Sequence, residues 1–285
     1  MVAGLFEYAL ARFAIAAVAV FPSLSVVFAK LLDGLVPRLR RIAIKNLTMA
    51  GYSNPGEIAD GVFQSIARLL AAFARLPRLT PQNISTLIRY DGLENFQTAL
   101  AKGRGVLVAT AHLGNWELSA FSHAWMTAPM HIVVRPLDNP RIDTLVERYR
   151  ALSGNYIIEK KDAARGILKA LKAGEAVGIL IDQNTTLDQG VFIDFFGKEA
   201  CAGTAFAKLA HHSGAAVVPG FALWSNEEQR YILRFYPEIR MTGDVSADTQ
   251  LIHAQLESVI RQYPDQWLWI HRRWKTRPAG EPSLY

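Results

Sequence analysis

Short apolar runs alternating with helix-length amphipathic segments predict an α/β protein with a mostly parallel central sheet flanked by helices on both faces. An N-terminal hydrophobic membrane helix is expected ahead of it. Three observations carry this reading. Runs such as GVLVAT (105–110) and AVGILI (176–181) are uniformly apolar and too short for surface helices, which suits strands buried on both faces. The segments between them, of about ten residues, place apolar residues at helical spacing, as crossover helices of βαβ units do. Finally, Phe13–Ala29 contains no charged residue at all.

The elements follow in order. Phe13–Ala29 is at the lower edge of the length that spans a bilayer, and Pro22 interrupts it. A signal peptide would need a basic start, but Glu7 precedes Arg12. Arg38, Arg40, Arg41 and Lys45 follow closely, which favours a membrane anchor with the remaining chain on the cytoplasmic side. The alternative is a helix lying in the interface or packed on the domain. Residues 1–45 are therefore read as anchor and basic connector, and residues 46–285 as one folded domain. Asn54–Leu76 is helical, with Val62, Ile66, Leu69, Leu70 and Phe73 on one face and Pro55 near its start. Strands are expected at 105–110, 130–134, 156–158, 176–181, 215–223 and 231–235. Helices are expected from Asn115 onward and at 140–153, 163–173, 203–212 and 249–263.

Composition narrows the chemistry. A chain of 285 residues with 51% hydrophobic residues and 20% charged ones is not disordered. One cysteine, Cys201, excludes an internal disulfide framework and any multi-cysteine metal centre. A net charge of +6 favours anionic partners: phosphate headgroups, an acidic carrier protein or nucleic acid. His211 and His212, adjacent on a helix, point apart, and no ligand set of metalloprotease type exists, so no metal is expected. The aromatic and basic run PDQWLWIHRRWKTRP (264–278) could sit at a headgroup layer or stack on bases, with Trp267 or Trp269 filling the core.

Open α/β sheets bind ligands at the carboxyl ends of their strands. The first buried strand ends at Thr110-Ala111-His112, and Glu117 lies five residues beyond His112. A histidine there can serve as a base and a carboxylate can orient it. Five residues on a straight helix are about 140° apart. The two therefore meet only if His112 sits in the turn and Glu117 in the first helical turn, with Gly114 between them. The plain alternative is a surface histidine and glutamate near a helix start. Asp182 and Gln183 follow the strand at 176–181 and face the same sheet edge, as loop hydrogen bonds or as substrate contacts.

His112-Leu-Gly-Asn-Trp-Glu117 resembles the HxxxxD/E block of membrane glycerolipid acyltransferases. With its neighbours it most resembles the late acyltransferases of lipid A biosynthesis (lauroyl- and myristoyltransferases) and their bacterial relatives, among them the phosphatidylinositol mannoside acyltransferases. Val134–Pro140 (VRPLDNP), a basic residue at Arg165, Ile181–Asn184 (IDQN), Phe195–Lys198 (FFGK) and Pro264–Pro278 match further family segments in order. Ala111 departs from the asparagine that many lipid A members carry before the histidine.

The resemblance implies a cofactor-free O-acyltransferase at the bacterial inner membrane. It would take a fatty acyl chain from an acyl carrier protein or coenzyme A to a hydroxyl of a lipid A precursor, related glycolipid or lysophospholipid. His112 would be the base and Glu117 its orienting acid. Arg135 and Arg165 would bind acceptor phosphate, and Asn115, Asp182 and Gln183 would contact substrate. The partners expected are the donor carrier, an anionic glycolipid and the membrane surface, not nucleic acid. A lipid esterase using the same pair, or a non-catalytic lipid- or nucleic-acid-binding protein, are the other readings.

Overall fold

Pro22 decides the shape of the N-terminus. In the computed structural model, which describes residues 2–159 and 163–285, the apolar stretch is two helices: α1 (Val2–Val20) and α2 (Leu24–Leu35). Proline has no N–H for an intrahelical bond and its ring clashes with the preceding turn. The chain therefore breaks there, and Ser25 Oγ donates to the Pro22 carbonyl at 2.7 Å.

This corrects the expected membrane-spanning helix. Among the described residues no helix is long and apolar enough to cross a membrane. The 12 residues of α2 span only about 18 Å at 1.5 Å each, and α1 carries Glu7 and Arg12. Both helices lie against α4 (Pro55–Arg75), as does α3 (Pro37–Met49). Val18, Ala29, Ala43 and Leu47 are buried, while Phe6, Phe13, Phe21 and Leu35 are 63–77% exposed. Arg40 joins the helices by pairing with Asp33 at 2.6 Å and Asp60 at 2.7 Å, so it is not a free headgroup-facing cation.

After α4 come β1 (Ile88–Asp91), α5 (Leu93–Leu100), β2 (Val106–Thr110), α6 (Trp116–Met126), β3 (His131–Val134), α7 (Pro140–Ala151) and β4 (Tyr156–Glu159). Then follow α8 (Ala163–Lys172), β5 (Ala176–Leu180), β6 (Gly190–Phe195), β7 (Lys198–Gly203), α9 (Ala205–Ser213), β8 (Ala216–Ser225), β9 (Arg230–Phe235) and α10 (Val245–Gln262). The seven-stranded sheet has the order β1-β9-β8-β2-β5-β3-β4. From β8 to β4 all neighbours are parallel. β9 is antiparallel to β8, and β1 is parallel to β9.

Pro219 sits where β8 changes partner. It is the last residue opposite β2, and pairing with β9 begins at Gly220. A missing ladder donor is tolerated at such a hand-over.

Alternate residues of each buried strand serve opposite faces. Val106, Val108, Ala176, Ala216 and Val218 pack with Phe96, Leu118 and Phe121 of α5 and α6. Leu107, Ala109, Val177 and Val217 pack with Ile167, Leu171, Phe206 and Ile252 of α8, α9 and α10. A third cluster unites α3 and α4 with the β6–β7 hairpin and Trp267, Trp269 and Trp274, each 0% exposed. The hairpin turns on Phe196 and Gly197, with φ of 58° and 71°. Positive φ at both central residues is the two-residue turn whose twist matches the strands.

Candidate active site at the ends of two central strands

β2 and β5 are parallel neighbours in register, Thr110 opposite Leu180. Ile181 N–H extends the ladder to the Thr110 carbonyl at 3.0 Å. Two residues past each strand end stand His112 and Asp182, and the register brings them together. His112 Nδ1 lies 2.9 Å from Asp182 Oδ1, and the His112 backbone N–H donates to Asp182 Oδ2 at 3.1 Å. A neutral imidazole with its proton on Nδ1, facing a carboxylate, keeps a lone pair on Nε2. That nitrogen has no partner among the described residues. The His112 side chain is 17% exposed and that of Asp182 is 0% exposed.

The electrostatics match this pairing. Burial, the largest influence on His112, acts to lower its pKa. The charge and hydrogen bond of Asp182, with the charge of Glu117, outweigh it and leave the pKa raised above 6.5. Burial likewise works against the charged form of Asp182. The charge and hydrogen bond of His112, the charge of His271 and the Trp267 indole nevertheless hold it well below the ordinary carboxylate range.

The turn after His112 is pinned on both sides. Gly114 has φ of +63°, and a Cβ there would lie 1.9 Å from the Ala222 carbonyl oxygen. Only glycine fits so close an approach with that backbone. The Gly114 N–H donates to the Gln266 carbonyl, the Asn115 N–H to the Ala222 carbonyl, and the Leu268 N–H to the His112 carbonyl. Asn115 is fully buried and caps α6, its Oδ1 accepting the Leu118 N–H at 3.0 Å. The amides of Gly114 and Asn115 are thus engaged. Those of Trp116 and Glu117 have no partner among the described residues.

Glu117 stands in the first turn of α6 but does not bond His112. Arg150 of α7 holds it in a two-pronged grip, Nε to Oε2 at 2.9 Å and Nη2 to Oε1 at 2.5 Å. The two side chains are 13% and 15% exposed. Both line a cleft of about 620 Å³, open mouth included, whose walls are Val108, Met130, Ile132, Val134, Leu180 and Phe235. Arg150 escaped sequence reasoning, although Val146, four residues earlier, packs on the core and marks that face of α7 as the inward one.

The other candidates lie apart. Arg135 is 77% exposed, 3.5 Å from Asp138, and Arg165 is exposed on α8; neither lines the cleft. Gln183 is exposed beside Asp182. In the C-terminal run Trp267, Trp269, Trp274 and Arg273 are fully buried, so its tryptophans fill the core. Arg273 lies over the Phe195 ring and donates to the Cys201 carbonyl, and burial brings its pKa down to about 10. Cys201 is buried, and burial pushes its thiol pKa up.

The model of the family described as "Bacterial lipid A biosynthesis acyltransferase" matches residues 9–276. The chain is 34% identical to the lipid A biosynthesis palmitoleoyltransferase of Escherichia coli (strain K12), over 87% of this chain and 82% of that one. It is also 34% identical to the lipid A biosynthesis lauroyltransferase of the same strain, over 68% of this chain and 64% of that one. Similarity to the phosphatidylinositol mannoside acyltransferase of Mycolicibacterium smegmatis is 25% identity over 81% and 78%. A match across nearly the whole chain, with the histidine block at the ends of its central strands, makes this protein a member of the bacterial lipid A biosynthesis acyltransferase family, and so an acyltransferase.

Proposed function

We propose that the protein carries a fatty acyl group from a thioester donor, an acyl carrier protein or coenzyme A, to a hydroxyl of an anionic glycolipid of the lipid A precursor type. The observation that carries this reading is the His112–Asp182 pair, whose imidazole leaves Nε2 unengaged and packs against Trp116, a residue of the apolar cleft lining. The acceptor hydroxyl oxygen attacks the thioester carbonyl carbon and its proton passes to His112 Nε2. The new C–O bond forms, the C–S bond then breaks, and the imidazolium returns the proton to the departing thiolate. Asp182 fixes the imidazole tautomer and offsets the charge His112 gains. The free amides of Trp116 and Glu117 are suited to the transient oxyanion. Glu117 acts on His112 by charge alone and holds Arg150 in the cleft wall.

The acyl chain occupies the apolar cleft. The exposed faces of α1 and α2 rest in the membrane interface, with Arg38, Arg41 and Lys45 exposed toward anionic headgroups. On this reading the enzyme works at the cytoplasmic face of the inner membrane, held there through these helix faces.

The test is acyl transfer by the purified, full-length protein from acyl carrier protein and from acyl coenzyme A to a lipid A precursor, read by mass spectrometry. His112→Ala should cut turnover by roughly 10²–10⁴-fold while the donor still binds. Transfer at the wild-type rate by a folded His112→Ala protein ends the proposal, and release of free fatty acid alone favours an esterase.

A further inference from the structure

Asp182 has a second side-chain partner besides His112. The indole Nε1–H of Trp267 donates to Asp182 Oδ2 at 2.8 Å, on the oxygen that His112 Nδ1 does not use. Both side chains are fully buried, so no solvent competes for that bond. Indole nitrogen is only a donor, so the contact is fixed in direction, with the Asp182 carboxylate accepting.

The placement of Trp267 is determined by the same backbone that shapes the His112 turn. Residues 266–268 run antiparallel to 112–114, with Leu268 N–H to the His112 carbonyl and Gly114 N–H to the Gln266 carbonyl, both 2.9 Å. Gln266 in turn clamps β8, its side chain accepting from Trp224 N–H at 2.7 Å and donating to the Trp224 carbonyl at 3.0 Å. Around the indole, Phe195 and Trp269 pack edge-on at 5.7 and 4.5 Å, and His271 at 5.3 Å. The segment thus straps the histidine to its carboxylate from a point about 85 residues beyond Asp182 in the chain.

We propose that Trp267 is a positioning residue of the acyl-transfer reaction: its indole N–H aims Asp182 at His112 and tunes the basicity of that histidine. The inference rests on His112 and Asp182 forming the base pair described above. Its sign follows from charge. The indole bond is stronger when the carboxylate charge is uncompensated, with His112 neutral, than when His112 is an imidazolium. Trp267 therefore favours the neutral, working form of the base. Replacing it by phenylalanine keeps the aromatic packing and deletes the donor.

The experiment compares the pH–rate profiles of wild type, Trp267→Phe and Trp269→Phe in the full-length protein. Trp269 is the control because it is equally buried, yet its indole donates to the Pro264 carbonyl and not to Asp182. Trp267→Phe should lose about 10- to 100-fold in kcat, as expected for a hydrogen bond to a buried charge. KM should change little. The acid limb of the profile should move to higher pH, so that part of the loss returns in alkaline buffer. Trp269→Phe should leave that limb in place even where it lowers the thermal midpoint. A second measurement needs no variant. In wild-type protein with 15N-labelled tryptophan, the indole signal assigned to Trp267 should titrate with the midpoint of the acid limb, and that of Trp269 should not. An unmoved limb in folded Trp267→Phe, or an indole signal that ignores that midpoint, overturns the proposal. If His112→Ala itself keeps the wild-type rate, the base assignment fails instead, and the two failures are told apart by that variant.

Discussion

Arg150 grips both carboxylate oxygens of Glu117, at 2.9 and 2.5 Å, and so turns the acid of the HxxxxE block away from His112 and into the wall of the cleft. The histidine is left to Asp182, which reaches it from the neighbouring strand. A block that suggests one dyad in sequence thus contributes to two pairs in space: a histidine with a carboxylate from the neighbouring strand, and an ion pair lining the apolar cleft.

Neutralising Glu117 separates its two effects. Glu117→Gln strips Arg150 of a partly buried charged partner, and loss of such a bond costs roughly 1.5–3 kcal/mol. The thermal midpoint should fall, and the His112 limb should move to slightly lower pH because one raising influence is gone. Arg150→Lys, which cannot keep the fork, should destabilise in the same direction. An unchanged midpoint in both variants contradicts the structural weight given to this pair.

The rate should rise with pH through a midpoint above 6.5, because His112 must be neutral to accept a proton and its pKa is raised. In Asp182→Asn the charge that raises it is lost while burial, which lowers it, remains. The residual activity of that variant should therefore show its acid limb at lower pH than wild type. Initial rates between pH 5 and 9, about the span in which a histidine titrates, check this. A limb displaced upward runs against it.

Gly114→Ala should be among the most damaging single changes. The left-handed backbone alone costs roughly 1–2 kcal/mol for a residue with a Cβ, and here that Cβ would meet the Ala222 oxygen at 1.9 Å. Expression as aggregate, or a large drop in thermal midpoint with loss of turnover, is expected. A Gly114→Ala protein as stable and active as wild type would mean that the turn is not held against β8.

Membrane attachment should depend on the exposed apolar faces of α1 and α2. Replacing Phe6, Phe13 and Phe21 together by serine should release the protein from vesicles containing anionic lipid in a flotation assay. The α/β domain should stay folded by circular dichroism. Retention of the triple variant on the vesicles contradicts interfacial attachment through this face.

Much of the sheet was legible because β2, β5 and β8 are continuous apolar runs, and burial on both faces leaves no polar alternation to confuse the reading. His112 stood out for the same reason, as a polar residue just past such a run. Its partner did not. That Asp182 meets His112 depends on β2 and β5 being neighbours in register, which is a property of strand order and not of spacing along the chain. Trp267 is more remote still, since its contact with Asp182 exists only once 266–268 fold back along the turn. Arg135 and Arg165 carried charge in suitable stretches, but exposure on a loop and a helix keeps both out of the cleft lining. At the N-terminus apolar length alone suggests one span, but Pro22, whose missing N–H divides the run, makes it two helices. The direction of β9 and β1 was likewise unreadable, because β9 has the apolar alternation of any half-buried strand.

The most direct test of the account sets Asp182→Asn beside Glu117→Gln in one acyl-transfer assay, with the folding of each verified. If Asp182 orients the base, Asp182→Asn should fall close to His112→Ala, within the roughly 10²–10⁴-fold range of general-base loss. The His112→Ala, Asp182→Asn double variant should be little worse than the poorer single, because the two act as a unit. Glu117→Gln should keep clearly more turnover than either. Near-wild-type turnover by Asp182→Asn, with Glu117→Gln falling to the level of His112→Ala, would contradict the account.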